Sequence, residues 1–282
     1  MRSVRSAPPL LFALAACSGG EPPAPTAEAP PAASTEVRFV AHDHAFEGPD
    51  TVSAGMTRLV LANEGRTWHH LQLIKLEDGM TVEDFQAALA RMQPGTPPPS
   101  WLIEAGGVNP PEPGKEAATT LMLEPGRYAV VCFVDTPDRV PHVMRGMIAA
   151  LTVVDSGRPS APAPDSDLTV TLVDYGFSFS QEPTAGRHTV RVINSGPQAH
   201  EIALFKLLPG KTMEDMVTWA RTYEGAAPMT AEGGVPGIEP GQEARFDVEL
   251  TPGQWVALCF VPDEHDGAAH LAHGMAMPFL VS

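Results

Sequence analysis

The 282-residue chain is short of positive charge. Lys and Arg number 18 against 34 Asp and Glu, a formal charge of −16. Nucleic-acid binding, which needs basic patches, is therefore not expected. The acidity keeps a soluble protein dispersed and permits steering toward a cationic partner protein. Cysteine is scarce as well, with three in the chain. A disulfide between Cys132 and Cys259 is a pairing an exported protein would allow, but it is disfavoured if each thiol sits inside its own domain. There is no Gly-rich phosphate loop, no nucleophile elbow and no HExxH. No His-Cys-His unit exists, because Val131 and Phe133 flank Cys132, and Leu258 and Phe260 flank Cys259. An enzyme is accordingly the less expected class, although an interdomain site stays open.

Proline (30) and glycine (25) are abundant, which implies many turns and little long helix. The N-terminus reads as an address. Arg2 and Arg5 precede the apolar run Leu10–Ala16, which suits a secretory signal and is too short to span a bilayer. Leu14-Ala15-Ala16-Cys17 resembles a bacterial lipobox, so residues 1–17 are expected to be a lipoprotein signal ending at a lipidated Cys17. An ordinary signal peptide with an incidental cysteine is the alternative. Residues 18–35, rich in Pro, Ala and Gly, read as a disordered tether. The expected location is the bacterial cell envelope, lipid-anchored and periplasm-facing. Ser18 points toward the outer membrane by resemblance to other lipoproteins.

The rest is one unit written twice. Asn63 to His69 matches Asn194 to His200, Gly106-Gly-Val108 matches Gly233-Gly-Val235, and Glu124 to Cys132 matches Thr251 to Cys259. The offset is 131 residues early and 127 to 128 late, a period that means tandem domains rather than a solenoid. The expected boundaries are 36–154 and 167–282, joined by a Pro/Ser linker at 155–166. Short alternating segments at 37–40, 57–62, 71–76, 119–123, 127–134 and 147–154 predict an all-β antiparallel sandwich or barrel in each copy. One helix interrupts each copy. Thr81 with Asp84 and Thr212 with Asp215 form near-capping boxes. Val82, Phe85, Leu89 and Met92 share one helical face, as do Met213, Met216, Val217 and Ala220.

Four ligand-type residues repeat. A histidine opens a strand (His69, His200), a cysteine closes one (Cys132, Cys259), a histidine follows ten or eleven residues later (His142, His270), and a methionine comes five after that (Met147, Met275). Two imidazoles, a thiolate and a weak thioether are the blue-copper electron-transfer set. The phrase His142-Val-Met-Arg-Gly-Met147 and its counterpart His270-Leu-Ala-His-Gly-Met275 resemble the closing loop of plastocyanin. Each copy thus resembles a cupredoxin, over nearly all of residues 36–282. The resemblance implies tandem Greek-key β-sandwiches, one type 1 copper per domain, and a redox partner protein.

One departure stands out. Nine and ten residues separate each cysteine from its histidine, where plastocyanin-like proteins place two to four. The loop either bulges and returns its histidine or carries it away. Phe133 and Phe260 could exclude water, and Asn63 and Asn194 could tie the loops near the site. His42, His44, His70, His188, His265 and His273 do not repeat and read as surface residues, though His265 or His273 could replace His270. Three functions remain: single-electron transfer, copper storage or delivery with a copper donor or acceptor, and a metal-free interaction module. In all three the membrane is reached only through the lipid anchor.

Overall fold

The computed structural model describes residues 34–93, 95–157 and 159–282. The signal, Cys17 and nearly all of the proposed tether lie outside the described residues.

Copy 1 contains β1 (Thr35–His42), β2 (Ala45–Glu47), β3 (Thr51–Ser53), β4 (Gly55–Asn63), β5 (Leu71–Lys75), α1 (Val82–Leu89), β6 (Ile103–Val108), β7 (Glu116–Leu123), β8 (Gly126–Val131) and β9 (Ile148–Val154). Copy 2 repeats the plan with β10 (Leu168–Val173), β11 (Gly176–Phe179), β12 (Gly186–Asn194), β13 (His200–Leu207), α2 (Met213–Thr222), β14 (Met229–Ile238), β15 (Glu243–Leu250), β16 (Gly253–Leu258) and β17 (Ala276–Val281). The fold is all-β with two short helices, and its core lies between two sheets. The sheets are mixed rather than purely antiparallel. β1 runs parallel to β4 and β10 to β12, because the short strands between them reverse the chain before it rejoins the sheet.

Both sheets run through both copies. One has the order β11-β10-β12-β15-β7-β4-β1-β2 and the other β17-β16-β13-β14-β6-β5-β8-β9-β3. At the seam β15 pairs antiparallel with β7, its own counterpart, through Ala244↔Leu121, Arg245↔Thr120 and Phe246↔Thr119. β14 meets its counterpart β6 at Ile238↔Ala105. The contact is self-complementary, as in a twofold dimer, and both copies fall in one compact unit. The 155–166 segment is pinned to each copy: Ser160 Oγ accepts the Met56 amide at 2.7 Å, and Pro164 O accepts from Arg245 Nε at 3.1 Å.

β6 and β14 are strands that periodicity does not reveal, since their Gly-Gly pairs look like turns. Glycine is required there by close approach. A Cβ on Gly107 would lie 1.9 Å from Leu71 O, and one on Gly234 would lie 2.0 Å from Ile202 O. Both helices carry the expected capping boxes. In α1 Phe85 is fully buried, with Val82 and Leu89 beside it. In α2 the buried stripe is Met213, Met216 and Trp219, while Val217 and Ala220 are exposed. The helix is turned because Trp219 packs edge-on against Trp68 of copy 1, with ring centroids 5.5 Å apart.

Candidate metal centres

His69 lies two residues ahead of β5 and His200 opens β13. Cys132 and Cys259 directly follow β8 and β16. The long loops return their histidines. In copy 1 the His142 amide donates to Val134 O at 2.9 Å and the Val143 amide to Cys132 O at 2.7 Å. In copy 2 the His270 amide donates to Val261 O at 2.9 Å and the Leu271 amide to Cys259 O at 2.8 Å. Extra residues leave through a neck closed by an Asp135↔Pro141 bridge, or by Pro262↔Ala269 in copy 2. A single 3-10 turn then begins at each histidine and stops at Gly146 or Gly274. The left-handed φ values there, 95° and 99°, favour glycine.

The ligand atoms converge in both copies. His69 Nδ1 lies 3.1 Å from His142 Nδ1, which lies 3.4 Å from Cys132 Sγ. The copy 2 distances are 3.0 Å for His200 to His270 and 3.3 Å for Cys259 to His270. In each trio the three atoms lie within 4.8 Å of one another. Donors bonded at about 2 Å to one tetrahedral ion are spaced about 3.3 Å apart, so each trio has the spacing of a ligand set. Met147 and Met275 are fully buried in the same core cluster as Cys132 and Cys259. Neither His265 nor His273 replaces His270. His265 stands against Asp263 and His273 against Asp266.

Burial controls the chemistry. All six trio residues are at most 1% exposed. Desolvation holds the imidazoles below their ordinary range, His142 and His270 at about 4, so they are neutral at pH 7 with a nitrogen lone pair available. It pushes the Cys132 thiol up to about 12 and Cys259 well above its usual value. Backbone amides oppose this. The Glu201 N–H donates to Cys259 Sγ at 3.4 Å, and the backbone at His70 and Val134 beside Cys132, and at Val261 beside Cys259, pulls the thiols in the same direction. They stabilise sulfur in its anionic, metal-binding form.

Asp43 and Asp174 are functional residues that the ligand pattern missed. Asp174 Oδ1 lies 2.8 Å from His200 Nε2, and Asp43 Oδ1 lies 3.5 Å from His69 Nε2. A carboxylate on one ring nitrogen directs the other toward a metal. The two aspartates repeat at the same 131-residue offset, so the four ligand-type residues are not the whole of the repeated set. Asn63 and Asn194 hold the loops as expected. Asn63 Nδ2 donates to Thr67 O (2.9 Å) and Pro111 O (3.1 Å), and its Oδ1 accepts the Gly65 amide at 3.0 Å. Asn194 repeats the arrangement on Gln198 O, Ile238 O and the Gly196 amide.

Other residues stand differently from the sequence reading. Phe260 is 45% exposed, so water exclusion comes from the surrounding core rather than from this ring. His70 is half-buried at the seam, His188 is held by Asp167 and Thr184 O, and His44 packs edge-on against His142. The buried His270 Nε2 has no hydrogen-bond partner, with Asp263 Oδ2 at 3.7 Å.

No family model matches the sequence, and no curated protein matches it. The chain is similar in structure to a dithionite-reduced auracyanin from Roseiflexus castenholzii, at 20% identity and TM-score 0.30 over 44% of this chain and 99% of that one. It is also similar to a blue copper oxidase from Nitrosomonas europaea, at 15% identity and TM-score 0.27 over 88% and 86%. A copper nitrite reductase from the same organism matches at 12% identity and TM-score 0.24 over 89% and 94%. All three scores fall below 0.5, and the fold and the two centres stand on the strand order and ligand spacing above.

Proposed function

We propose that each copy holds one copper ion, through His69, Cys132 and His142 in copy 1 and through His200, Cys259 and His270 in copy 2. Met147 and Met275 serve as weak axial donors, and the protein carries single electrons between partner proteins. The observation that carries this reading is the twice-built trio, with two neutral imidazole nitrogens about 3 Å apart and a thiol sulfur beside them. The donor set fits copper, since thiolate and imidazole both suit it. Bound there, copper supplies one-electron cycling. The chain's own residues do the rest. Asp43 and Asp174 orient the strand-opening imidazoles, backbone amides hold the sulfur, and two sheets fix the ligands so that a change of oxidation state needs little rearrangement.

Storage or delivery is the second reading. Ligands at most 1% exposed favour electron transfer, because rapid handover of an ion needs an accessible donor. The expected site of action is the periplasmic side of a membrane, through lipid on Cys17.

The test is copper(II) loading of residues 18–282 with visible and paramagnetic-resonance spectra. An intense thiolate-to-copper band is expected, roughly halved by Cys132→Ala or by Cys259→Ala. Colourless binding with fast chelator exchange would favour storage, and no stoichiometric uptake would defeat both readings. Fatty-acid labelling lost in Cys17→Ala tests the anchor.

A further inference from the structure

The seam is self-complementary, but one place on it is filled on one side and open on the other. On the filled side Trp68 packs its indole against Phe205 and Trp219 of copy 2, at centroid separations of 5.6 and 5.5 Å. Its Nε1 donates to Glu112 Oε1 at 2.7 Å, and the same oxygen accepts the Ala231 amide of copy 2 at 2.7 Å. The counterpart of Trp68 is Ala199, and that of Glu112 is Glu239. On the open side Glu239 Oε1 accepts the Glu104 amide of copy 1 at 2.9 Å, just as Glu112 accepts Ala231, but Ala199 brings no indole to it. A cavity of about 360 Å³ stands there instead, lined from both copies, with Ala199, Glu239 and Glu104 in its wall.

Other differences between the two sides suit the open one to a positive charge. Glu104 stands where the filled side has Ala231, and Glu264 where it has Pro137. Glu104 is 6% exposed, and its Oε2 has no hydrogen-bond partner. Gly237 makes room for that carboxylate, because a Cβ there would collide with Oε2; the matching residue is Pro110. Burial first, and then the Glu201 and Glu239 carboxyls, push Glu104 up to about 8, and a cation beside it would reverse that shift. The cavity wall carries three carboxylates and no Lys, Arg or His, and Leu102 and Pro262 belong to its apolar part. Concave spaces of this size at a domain interface, apolar with a few convergent polar groups, are where small molecules bind.

We propose that the open cavity binds a small aromatic amine, whose ring takes the place that the Trp68 indole fills on the other side and whose positive charge pairs with Glu104. A ring N–H then meets Glu239 Oε1 as the Trp68 N–H meets Glu112 Oε1. The site adjoins the copy 2 centre, since Ala199 precedes His200 and Pro262 forms the neck of the Cys259–His270 loop. Binding needs no copper, so it stands or falls apart from the copper reading.

The experiment titrates tryptamine, an indole bearing an ammonium group, into the full metal-free chain by calorimetry, with indole and indole-3-acetate as controls. One tryptamine per chain is expected, bound at least tenfold more tightly than indole, with indole-3-acetate weaker still. Ala199→Trp fills the cavity as Trp68 fills its counterpart, and Glu104→Gln keeps the shape while removing the charge. Each is expected to weaken tryptamine at least tenfold. Glu104→Gln removes an unpaired buried carboxyl, so its Tm is expected to be unchanged or higher, and it decides the matter alone if Ala199→Trp does not fold. Three results would each overturn the proposal: no tryptamine uptake at millimolar concentration, either control bound as tightly as tryptamine, or full tryptamine affinity in Glu104→Gln.

Discussion

Gly65 and Gly196 offer a direct probe of the histidine geometry. A Cβ on Gly65 would lie 2.4 Å from His69 Nε2, 2.7 Å from its Cδ2 and 2.9 Å from Asp43 Oδ1. A Cβ on Gly196 would lie 2.6 Å from His200 Nε2 and 2.8 Å from its Cδ2. Neither glycine has a positive φ, so an added methyl acts through contact and not through backbone strain. Comfortable contact needs about 3.5 Å, so in Gly65→Ala the ring or the loop must retreat by about 1 Å. The ring cannot retreat freely, because its opposite nitrogen faces His142 Nδ1 at 3.1 Å. Overpacking of this kind costs about 1–3 kcal/mol, which for a unit this large lowers Tm by about 2–12 °C. A displaced ligand weakens metal binding by about 10–100-fold.

The assay is calorimetric unfolding of the metal-free protein, followed by copper titration read on the thiolate band. Gly65→Ala is expected to weaken copy 1 binding by that factor and leave copy 2 intact, with Gly196→Ala the mirror image. Normal Tm in Gly65→Ala, together with two full-strength centres, would refute the inference that the loop presses His69 into place.

Two further outcomes are expected. With the Cys132 thiol at about 12 and the His142 and His270 imidazoles at about 4, the metal-free centre at pH 7 holds a protonated thiol and neutral rings. Copper displaces the thiol proton, so affinity rises about tenfold per pH unit between about pH 5 and 10, and more steeply below that as the rings also lose protons on binding. Calorimetry in buffers of different ionisation enthalpy should find about one proton released per copper, and none would remove sulfur from the ligand set. Asp174→Ala should weaken copy 2 copper by about 10–100-fold, and Asp43→Ala should weaken copy 1 less, because 2.8 Å is a hydrogen bond and 3.5 Å with a competing Arg66 is a poorer one. Equal losses in chelator competition would contradict that ranking.

The two centres were legible because their chemistry repeats. His69, Cys132 and His142 each have a counterpart, so a chance cluster had to occur twice. Asp43 and Asp174 repeat by the same rule, but carboxylates are common in so acidic a chain and the neighbouring His42 and His44 have no counterparts, so nothing in the sequence ties the pair to the site. The seam was not legible. Trp68 packs on Phe205 and Trp219, Asn109 Nδ2 donates to Ile202 O and Arg139 donates to Ala220 O, all across it, and nothing in a single sequence marks a side chain that works on the far copy. The turn of α2 follows from the same cause. Its apolar spacing allows a face through Val217 and Ala220, and Trp68, arriving from copy 1, packs on the face through Trp219 instead.

The length of the cysteine-to-histidine loops belongs to this seam rather than to the metal. Their necks are alike in both copies and return the histidines with matching hydrogen bonds, so it is the neck that sets the ligands and the residues beyond it make other contacts. What the extra residues do is reach across. Arg139, at the tip of the copy 1 loop, donates to Ala220 O at 3.2 Å and to Arg221 O, and its guanidinium lies 5.2 Å from the Tyr223 ring centroid. It therefore binds the carbonyl end of α2, where a cation is favoured. The copy 2 loop does the converse. Gly267 sits so close to the copy 1 backbone that a Cβ would lie 2.2 Å from Thr96 O. Each ligand loop is thus buttressed by the other copy, and the sequence departs from the plastocyanin pattern at the point where two domains become one unit.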